Sequence, residues 1–494
     1  MSEIFGYIFL IAYLVALTYV TFYCLMSFHL LYNYKKSHWN DLGPKDQELE
    51  KNDFPFVTIQ LPIFNELYVV ERLIESICEF DYPKDRFEIH VLDDSNDETV
   101  IITRKKVAEY KAKGFLIEHI QRADRVGYKA GALKAGMKYA KGKFIAIFDA
   151  DFLPKKNFLK KTIPFFKNKK VGVVQTRWEH INEDYSLITR LQAFQLNVHF
   201  RVEQVGRKAG NYMLQFNGTA GVWRRECIDD AGGWEADTLT EDLDLSYRAQ
   251  LNGWEIVYLE NVGSPAELPA EMNGLKSQQH RWMKGGAETA KKMLPSVWKS
   301  NLNFGQKVHA SLHLLSSSVF LFVFLIGISS VPLIFYFGIL KINAGYFAFF
   351  LIGLLSIIAI YYTANVHAKN NGDSYIKSLI KFLFLFPVFL ALSMGLSLHN
   401  SIAVLQGYWG KKSPFVRTPK FAISSGSDSV NNKKYLAEKI PMTTILEGLL
   451  AIYFFAAVIG AIYYENTTFI MFHILLMLGY GTICYYSIRH LRLK

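Results

Sequence analysis

The stretch KFIAIFDADFLP, residues 143–154, decides how this sequence folds. It begins as a short apolar run, which is typical of an inner strand of a sheet. Directly after this run it places two carboxylates, Asp149 and Asp151, two positions apart. Like charges at close range repel each other, so the pair indicates a binding site rather than a contribution to stability.

The residues around this stretch, 55–294, alternate between strand-like and helix-like patterns. Strands are predicted in FVTIQLPIF (56–64), FEIHVLDD (87–94) and FLIEHI (115–120), with helix-like segments between them. This alternation predicts an α/β fold, in which helices cover both faces of a parallel sheet. Ligands of such folds bind beyond the carboxyl ends of the strands. The polar residues expected at those ends are Asn65, Asp93, Asp94, Asp149 and Asp151.

The D-x-D pair has the chemistry of a divalent-cation site. Carboxylate oxygens suit Mg²⁺ or Mn²⁺, and Mg²⁺ usually combines one or two carboxylates with phosphate oxygens. A nucleotide diphosphate is therefore the expected ligand. A lone D-x-D also occurs in solvated turns, but three polar strand ends on one rim favour a site.

Two downstream stretches add candidate catalytic and binding groups. TLTEDLDLSYRAQLNGW (238–254) predicts a helix with Thr240 as N-cap, and its first turn holds Asp242 as a candidate general base. SQQHRWMKGG (277–286) offers Arg281 for a diphosphate and Trp282 for stacking on a sugar ring. Taken singly, the first stretch is better explained by an acidic first turn that only stabilises a helix, and the second by an ordinary amphipathic helix.

The composition predicts an integral membrane protein. Hydrophobic residues make up 51% of the 494 residues. Residues 4–31 contain no Asp, Glu, Lys or Arg, and this stretch is longer than the roughly 20 apolar residues that span a bilayer. The acidic start MSE argues against a cleaved signal peptide. The net charge of +11 suits loops on anionic lipid, since no groove-reading motif for nucleic acid is present. The four scattered cysteines predict neither a disulfide nor a zinc site.

The apolar segments also predict a topology. Lys35 and Lys36 follow the first segment, which places its end, and the catalytic region, in the cytoplasm. Four later segments are predicted to span the membrane: 319–340, 346–366, 443–464 and 469–488. Residues 378–398 are interrupted by Lys381 and Pro387, and the basic flanks leave no room for one more crossing. An interfacial helix is therefore expected there, and another near residues 300–315.

In order, the chain contains LPIFNE, LDDS, YKAGALKAGM, FDADF, FNGTAGVWR, TEDLDL and QQHRW. This series resembles the membrane-embedded glycosyltransferase family 2 enzymes of the cellulose synthase group, and among them the cellulose-synthase-like mannan and glucan synthases. Each motif alone is weak, but seven in the same order are specific. The resemblance implies a GT-A (Rossmann-like) domain in residues 35–300, after an N-terminal transmembrane helix in 1–34. A membrane domain with interfacial helices follows in 301–494.

The resemblance also implies roles for individual residues. Asp242, with Glu241, is expected to be catalytic, and Asp149 and Asp151 are expected to bind Mg²⁺ or Mn²⁺. The nucleotide sugar is expected to contact Pro62, Asn65, Glu66, Asp93, Asp94, Lys129, Asp149, Gln278 and Arg281. The acceptor is expected to contact Phe216, Asn217, Gly218, Thr219 and Trp282. FVRTPK matches the gating-loop motif F-x-V-T-x-K at Phe415, Thr418 and Lys420, within a loop at 410–440, but it has Arg417 in place of the Val.

The expected function is an inverting, metal-dependent, processive hexosyltransferase that extends a β-linked polysaccharide and secretes it across the membrane. UDP-glucose is the favoured donor and GDP-mannose the second, with a glycan or lipid acceptor, accessory export subunits and no nucleic-acid partner. One alternative is a single transfer to a ceramide or polyprenyl-phosphate lipid. Another is a transporter without chemistry, but the spanning segments lack the buried charges and broken helices typical of one.

Overall fold

The computed structural model describes residues 2–39, 54–368, 374–413, 416–424, 428, 430–431, 433–436 and 439–491. Within them lies one sheet of seven strands: β1 (Val57–Ile63), β2 (Phe87–Asp93), β3 (Ile117–Gln121), β4 (Phe144–Ile147), β5 (Val171–His180), β6 (Gly221–Arg224) and β7 (Glu255–Ala266). Their order in the sheet is β3-β2-β1-β4-β6-β5-β7.

The sheet is mixed rather than fully parallel. The strands from β3 to β4 are parallel to one another, whereas β6 is antiparallel to both β4 and β5. The reason is the turn before β6: the Ala220 amide donates to the Ile147 carbonyl at the carboxyl end of β4. The strand therefore starts at that edge and runs back along β4. This arrangement also brings the turn formed by Phe216–Thr219, called here the FNGT turn, to the edge where Asp149 lies.

Helices cover both faces of the sheet, as the sequence predicts. The helices of the catalytic domain are α2 (Val70–Cys78), α3 (Thr99–Ala112), α4 (Tyr128–Met137), α5 (Phe158–Thr162), α6 (Leu187–Asn197), α7 (Gln204–Ala209), α8 (Arg225–Asp230), α9 (Glu241–Leu251) and α10 (Met272–Lys299). One face packs Ile59 and Leu61 against α2 and α5. The other packs Ile145 and Ile147 against α4, α8 and α9. Strands buried on both faces explain their near-continuous apolar sequences.

The remaining helices form the membrane part: α1 (Ser2–Trp39), α11 (Phe304–Leu314), α12 (Val319–Ile339), α13 (Leu351–Tyr362), α14 (Tyr375–Gly395), α15 (Ser397–Tyr408), α16 (Met442–Tyr463) and α17 (Ile470–Leu491). Among the described residues, six helices are long and apolar enough to cross a membrane, α1 and five after the catalytic domain. This is one more than the sequence predicts, because α14 meets the same length and hydropathy criteria. The protein is an integral membrane protein.

The extra candidate, α14, keeps close contact with the catalytic domain. Phe194 of α6 packs against Phe382 and Phe389, two turns apart on α14, with ring centroids 6.0 and 5.5 Å away. Just after α14, the His399 ring lies 2.9 Å from the Lys276 carbonyl of α10. The part of α14 from Phe382 to Phe389 thus lies beside a catalytic-domain helix, whereas its C-terminal end at Gly395 packs against Gly479 of α17. Its interfacial placement stays a prediction.

Candidate active site at the rim of the sheet

The carboxyl ends of the parallel strands form a recess around the D-x-D pair. Asp149 follows β4 directly, and its backbone amide donates to the Thr219 hydroxyl at 2.9 Å. Asp151 lies beside β7, since its carbonyl accepts from the Glu267 amide at 3.2 Å. The side chains of Asp149 and Asp151 are 33% and 14% exposed, so both are reachable from solvent. The recess is therefore built by β4, β7 and the turn before β6.

Lys129 lies at the centre of this recess. Its ammonium lies 2.6 Å from an Asp149 oxygen, 3.0 Å from the Gly218 carbonyl and 4.0 Å from a Glu241 oxygen. Lys129 is in the first turn of α4, which begins after Gly127 in the left-handed region at φ 75°. A glycine suits this position because residues with a Cβ rarely adopt that conformation. The turn directs Lys129 toward the D-x-D pair, as the resemblance implies.

Asp242 lies across the FNGT turn from Lys129. Gly218 has φ 79°, and a Cβ placed on it would lie 3.0 Å from an Asp242 oxygen and 3.4 Å from the Lys129 nitrogen. The turn therefore touches both groups, and only glycine leaves this space. Asp242 is in the first turn of α9, as predicted, but Thr240 makes no side-chain cap. Its hydroxyl instead lies 3.0 Å from the Thr289 hydroxyl of α10, so tertiary contact replaces the local cap.

Burial and crowding perturb the acids of the recess. Burial, and then the neighbouring Glu241 carboxylate, raise the pKa of Asp242 to about 7 against the opposing effect of Lys129. Burial also raises the pKa of Asp149 and of Glu241, again opposed by Lys129. Burial opposes the charge of Lys129, but Asp149 and Glu241 outweigh it and raise its pKa. The recess thus holds more negative charge than its lysine balances, which favours a cationic ligand.

Helix α10 brings a second cation to the recess. Arg281 donates to the Thr418 hydroxyl at 2.8 Å and to the Val416 carbonyl. Burial lowers its pKa to about 10, although Asp149, Glu241, Asp151 and Glu66 act in the opposite direction. Gln278 and Trp282 are half-buried on the same helix, one turn before and one position after Arg281. Residues three or four apart share a helix face, so Gln278 points to the same side as both.

The segment 416–421 lies over the recess. Arg417 forms a two-point ion pair with Glu66, with both N–O distances at 3.0 Å, and Lys420 lies 2.6 Å from an Asp151 oxygen. Burial raises the pKa of Glu66 to about 7, opposed by Arg417. Thr418 and Lys420 thus reach the recess, and their role in a gating loop stays a prediction, while Phe415 lies outside the described residues. The sequence reasoning missed the Arg417 contact because it treated this residue only as a departure from the motif.

Four of the residues expected to contact the nucleotide sugar, at the ends of β1 and β2, are held mainly by contacts within the protein. Asp93 accepts from the Ser95 amide at 2.9 Å and lies 2.7 Å from the His119 ring, whereas Asp94 is paired with Arg122. Pro62 lies within β1, opposite Leu92. Asn65 adopts φ 55°, and its amide donates to the Ser95 hydroxyl at 2.8 Å. The structure gives Asp93, Asp94 and Pro62 a part in holding the rim, and their contact with a nucleotide stays a prediction.

The expected acceptor residues divide into buried and accessible ones. The Phe216 side chain is fully buried and packs edge-on against Trp223 at 5.3 Å, and its contact with an acceptor stays a prediction. Thr219 is also buried and positions Asp149. Asn217 is half-buried, with its side chain 2.9 Å from His199 and its amide 2.9 Å from Gln175. His199 and Gln175 were missed because only the tertiary fold brings them to this turn.

A second acidic group lies outside the recess. Glu235, Asp237 and Asp244 have carboxylate oxygens within 4.8 Å of one another. Lys292 reaches all three, at 2.6, 2.8 and 3.0 Å. The group is thus an ion-pair cluster centred on a lysine, and it does not include the D-x-D residues.

Comparisons with known proteins match this architecture. The family described as "Glycosyltransferase like family 2" matches residues 55–285. "Probable glucomannan 4-beta-mannosyltransferase 11" of Oryza sativa subsp. japonica is 44% identical over 262 residues, 52% of this chain and 46% of that protein. "Glucomannan 4-beta-mannosyltransferase 2" of Arabidopsis thaliana is 42% identical over 270 residues, 53% of this chain and 51% of that protein. The chain thus spans about half the length of the curated relatives it matches.

A solved structure shares the fold. The mannosyltransferase PcManGT from Pyrobaculum calidifontis, in complex with GDP-Man and Mn²⁺, superposes with a TM-score of 0.53 at 18% identity, over 81% of this chain and 99% of that one. The predicted GT-A fold is confirmed by this likeness. The seven motifs, the GT-A sheet between apolar helices and the matched relatives agree: residues 55–285 match a glycosyltransferase family 2 domain, and the chain is similar over about half its length to the glucomannan 4-β-mannosyltransferases.

Proposed function

We propose that the chain is a processive, inverting β-mannosyltransferase that extends a β-linked polysaccharide from GDP-mannose. The observation that carries the proposal is the contact of the Gly218 turn with Asp242 on one side and Lys129 on the other, with Lys129 paired to Asp149. A candidate base, a candidate phosphate-binding cation and the D-x-D pair thus meet in one recess.

The donor is inferred from the relatives that match these residues. The matched proteins are named glucomannan 4-β-mannosyltransferases, and they align over about half of this chain at 42–44% identity. UDP-glucose, the donor expected from the sequence, has no support in the names of these relatives. GDP-mannose therefore takes its place as the proposed donor.

The proposed reaction is a single in-line displacement. An acceptor hydroxyl attacks the anomeric carbon of the donor sugar while the bond from this carbon to the diphosphate breaks, which inverts the configuration. Asp242 takes the proton of the attacking hydroxyl. Lys129 and Arg281 neutralise the negative charge on the departing diphosphate, as fixed cations do when charge develops in a transition state.

A divalent cation fits the D-x-D pair. Asp149 and Asp151 both supply carboxylate oxygens, the ligands that Mg²⁺ and Mn²⁺ prefer, and both are reachable from solvent. A lysine ammonium group lies 2.6 Å from each carboxylate, that of Lys129 from Asp149 and that of Lys420 from Asp151, so the space beside the two carboxylates already favours positive charge. When bound, the cation adds further charge stabilisation to the diphosphate.

The remaining groups bear on where the acceptor binds and on which side of the membrane the catalytic domain lies. Trp282 offers an aromatic face, and Asn217 offers polar atoms, next to the recess. The segment 416–421, anchored by Arg417 and Lys420, is proposed to cover the bound donor. The catalytic domain is placed in the cytoplasm because Lys35 and Lys36 follow the first apolar segment. The growing chain then leaves toward the membrane helices.

The test incubates purified membranes with labelled GDP-mannose or labelled UDP-glucose, with Mg²⁺ or Mn²⁺ present or chelated. A labelled polymer from GDP-mannose that a β-mannanase digests is the expected product, and chelation is expected to abolish it. Membranes carrying Asp242→Asn provide the matched control. A label recovered only as a single sugar in a solvent-extracted lipid supports the glycolipid alternative. Incorporation from UDP-glucose alone contradicts the proposed donor.

A further inference from the structure

Two adjoining cavities lie between α6, α14 and α17, away from the active site. The first is a groove of about 320 Å³ between α14 and the start of α6. The second is a crevice of about 260 Å³ between the middle of α14, α6 and α17. Leu187 lines both cavities. A polar groove and an apolar crevice thus adjoin at Leu187.

The groove and the crevice open toward lipid. Phe384 lines the groove while 66% of its surface is exposed, and Ile380 and Leu383 beside it on α14 are exposed to a similar degree. Leu478 of α17 lines the crevice and is 51% exposed. In an integral membrane protein, such apolar side chains face acyl chains. The mouths of both cavities therefore face the acyl chains of the bilayer.

The charges of the groove balance. Glu183 and Asp184 contribute two carboxylates, and Arg190 and Lys381 contribute two cations. Arg190 is 49% exposed, and its ion pair with Asp184 is loose at 3.4 Å. A loose exposed pair contributes little stability, so a ligand group can replace it at low cost. The lining matches a headgroup that carries one positive and one negative charge.

The walls of the groove are fixed by the fold. Helix α6 begins with a capping box between Ser186 and Thr189. Gln192 of α6 donates to the Pro269 carbonyl at 2.9 Å, and the Phe194 ring packs on α14. A cavity between elements held in this way is part of the folded state rather than a surface irregularity.

We propose that the groove and crevice bind one phospholipid with a zwitterionic headgroup of the phosphatidylethanolamine class. The phosphate lies against Arg190 and Lys381, the amine against Glu183 and Asp184, and one acyl chain enters the crevice lined by Leu191, Val388 and Leu478. The combined volume is in the range of about 300–1,000 Å³ that is typical of small-molecule sites.

The test measures lipid retention by native mass spectrometry of the full chain. The protein is equilibrated with vesicles that contain phosphatidylethanolamine and phosphatidylglycerol in equal amounts and is then transferred to detergent. We expect one phosphatidylethanolamine per chain. Retention should fall at least about tenfold in the Arg190→Gln/Lys381→Gln variant, since the loss of one charge-assisted hydrogen bond to the phosphate already lowers the affinity by about that factor.

Two tryptophan variants separate the crevice from general effects on the membrane surface. Leu478→Trp fills the crevice mouth, and Leu449→Trp places the same group on α16, where the leucine is 57% exposed. Leu478→Trp should lose the lipid, and Leu449→Trp should keep it. The proposal is overturned if wild type retains no lipid or prefers phosphatidylglycerol. It is equally overturned if the Arg190→Gln/Lys381→Gln variant and the Leu478→Trp variant both bind the lipid as wild type does. Loss of the lipid in Leu449→Trp as complete as in Leu478→Trp would overturn it too.

Discussion

Replacing Asp242 by Asn removes the proposed base and keeps the shape of the side chain. The Asp242 carboxylate faces the Gly218 turn and interacts with Glu241 and Lys129. An amide cannot accept the proton of the acceptor hydroxyl, so the rate of mannosyl transfer should fall by about 10²–10⁴-fold, the usual contribution of a general base. Transfer is measured as labelled mannose incorporated by purified protein in lipid discs.

The same variant should be more stable than wild type at neutral pH in the absence of donor. Burial and Glu241 raise the pKa of Asp242 from 3.8 to about 7, so ionisation in the fold costs at most about 4 kcal/mol at roughly 1.4 kcal/mol per pKa unit. Screening by solvent reduces this to about 1–2 kcal/mol. The raised pKa means that the protonated wild-type carboxyl contributes fully below pH 3.8 and that this contribution is lost as the pH rises to 7. The gain in stability of the variant therefore grows over that window.

Thermal unfolding, followed by tryptophan fluorescence at several pH values, measures this gain. Asp229→Asn is the control, because Asp229 is an exposed carboxylate on α8, away from the recess. Transfer within about threefold of wild type in Asp242→Asn would falsify the assignment of the base. Equal stability of wild type and variant at pH 8 would contradict the crowding of acids in the recess.

The remaining predictions concern pH and three contacts. With a pKa of about 7 for the base, kcat/KM should rise about tenfold between pH 6 and pH 8, and a flat profile contradicts this. Lys129→Met removes the partner of Asp149 and should lower kcat about 10²–10³-fold, with donor binding checked by calorimetry. Arg417→Val removes the two-point ion pair with Glu66 and should raise the donor KM about tenfold, whereas Arg417→Lys should raise it less. Glu447 of α16 is a buried charge in a candidate spanning helix, contrary to the expectation from sequence. Lys276→Met leaves it without its partner at 2.8 Å and should destabilise the fold by about 3–5 kcal/mol, largely restored by adding Glu447→Gln, as thermal unfolding would show.

Much of the fold was readable from local patterns. The alternation of strands and helices between residues 55 and 294 predicted a sheet covered on both faces, and the structure confirms this. The antiparallel direction of β6 was not predicted, because GVWR has the same local pattern in either direction. Helix α14 shows the same limit, since its length and hydropathy do not tell whether it crosses or lies beside the catalytic domain.

Periodicity and turn chemistry are local, so the amino-acid sequence alone indicates which residues end the strands and begin the helices of the site. It predicts Asp149 after β4 and Asp242 in the first turn of α9. Which of these groups touch one another depends on how the whole chain folds. The ion pair of Arg417 with Glu66 joins residues 351 positions apart, and the Gly218 turn reaches Asp242 and Lys129 because β6 pairs with β4. Contacts of this kind depend on strand order and packing, which no short stretch of sequence encodes.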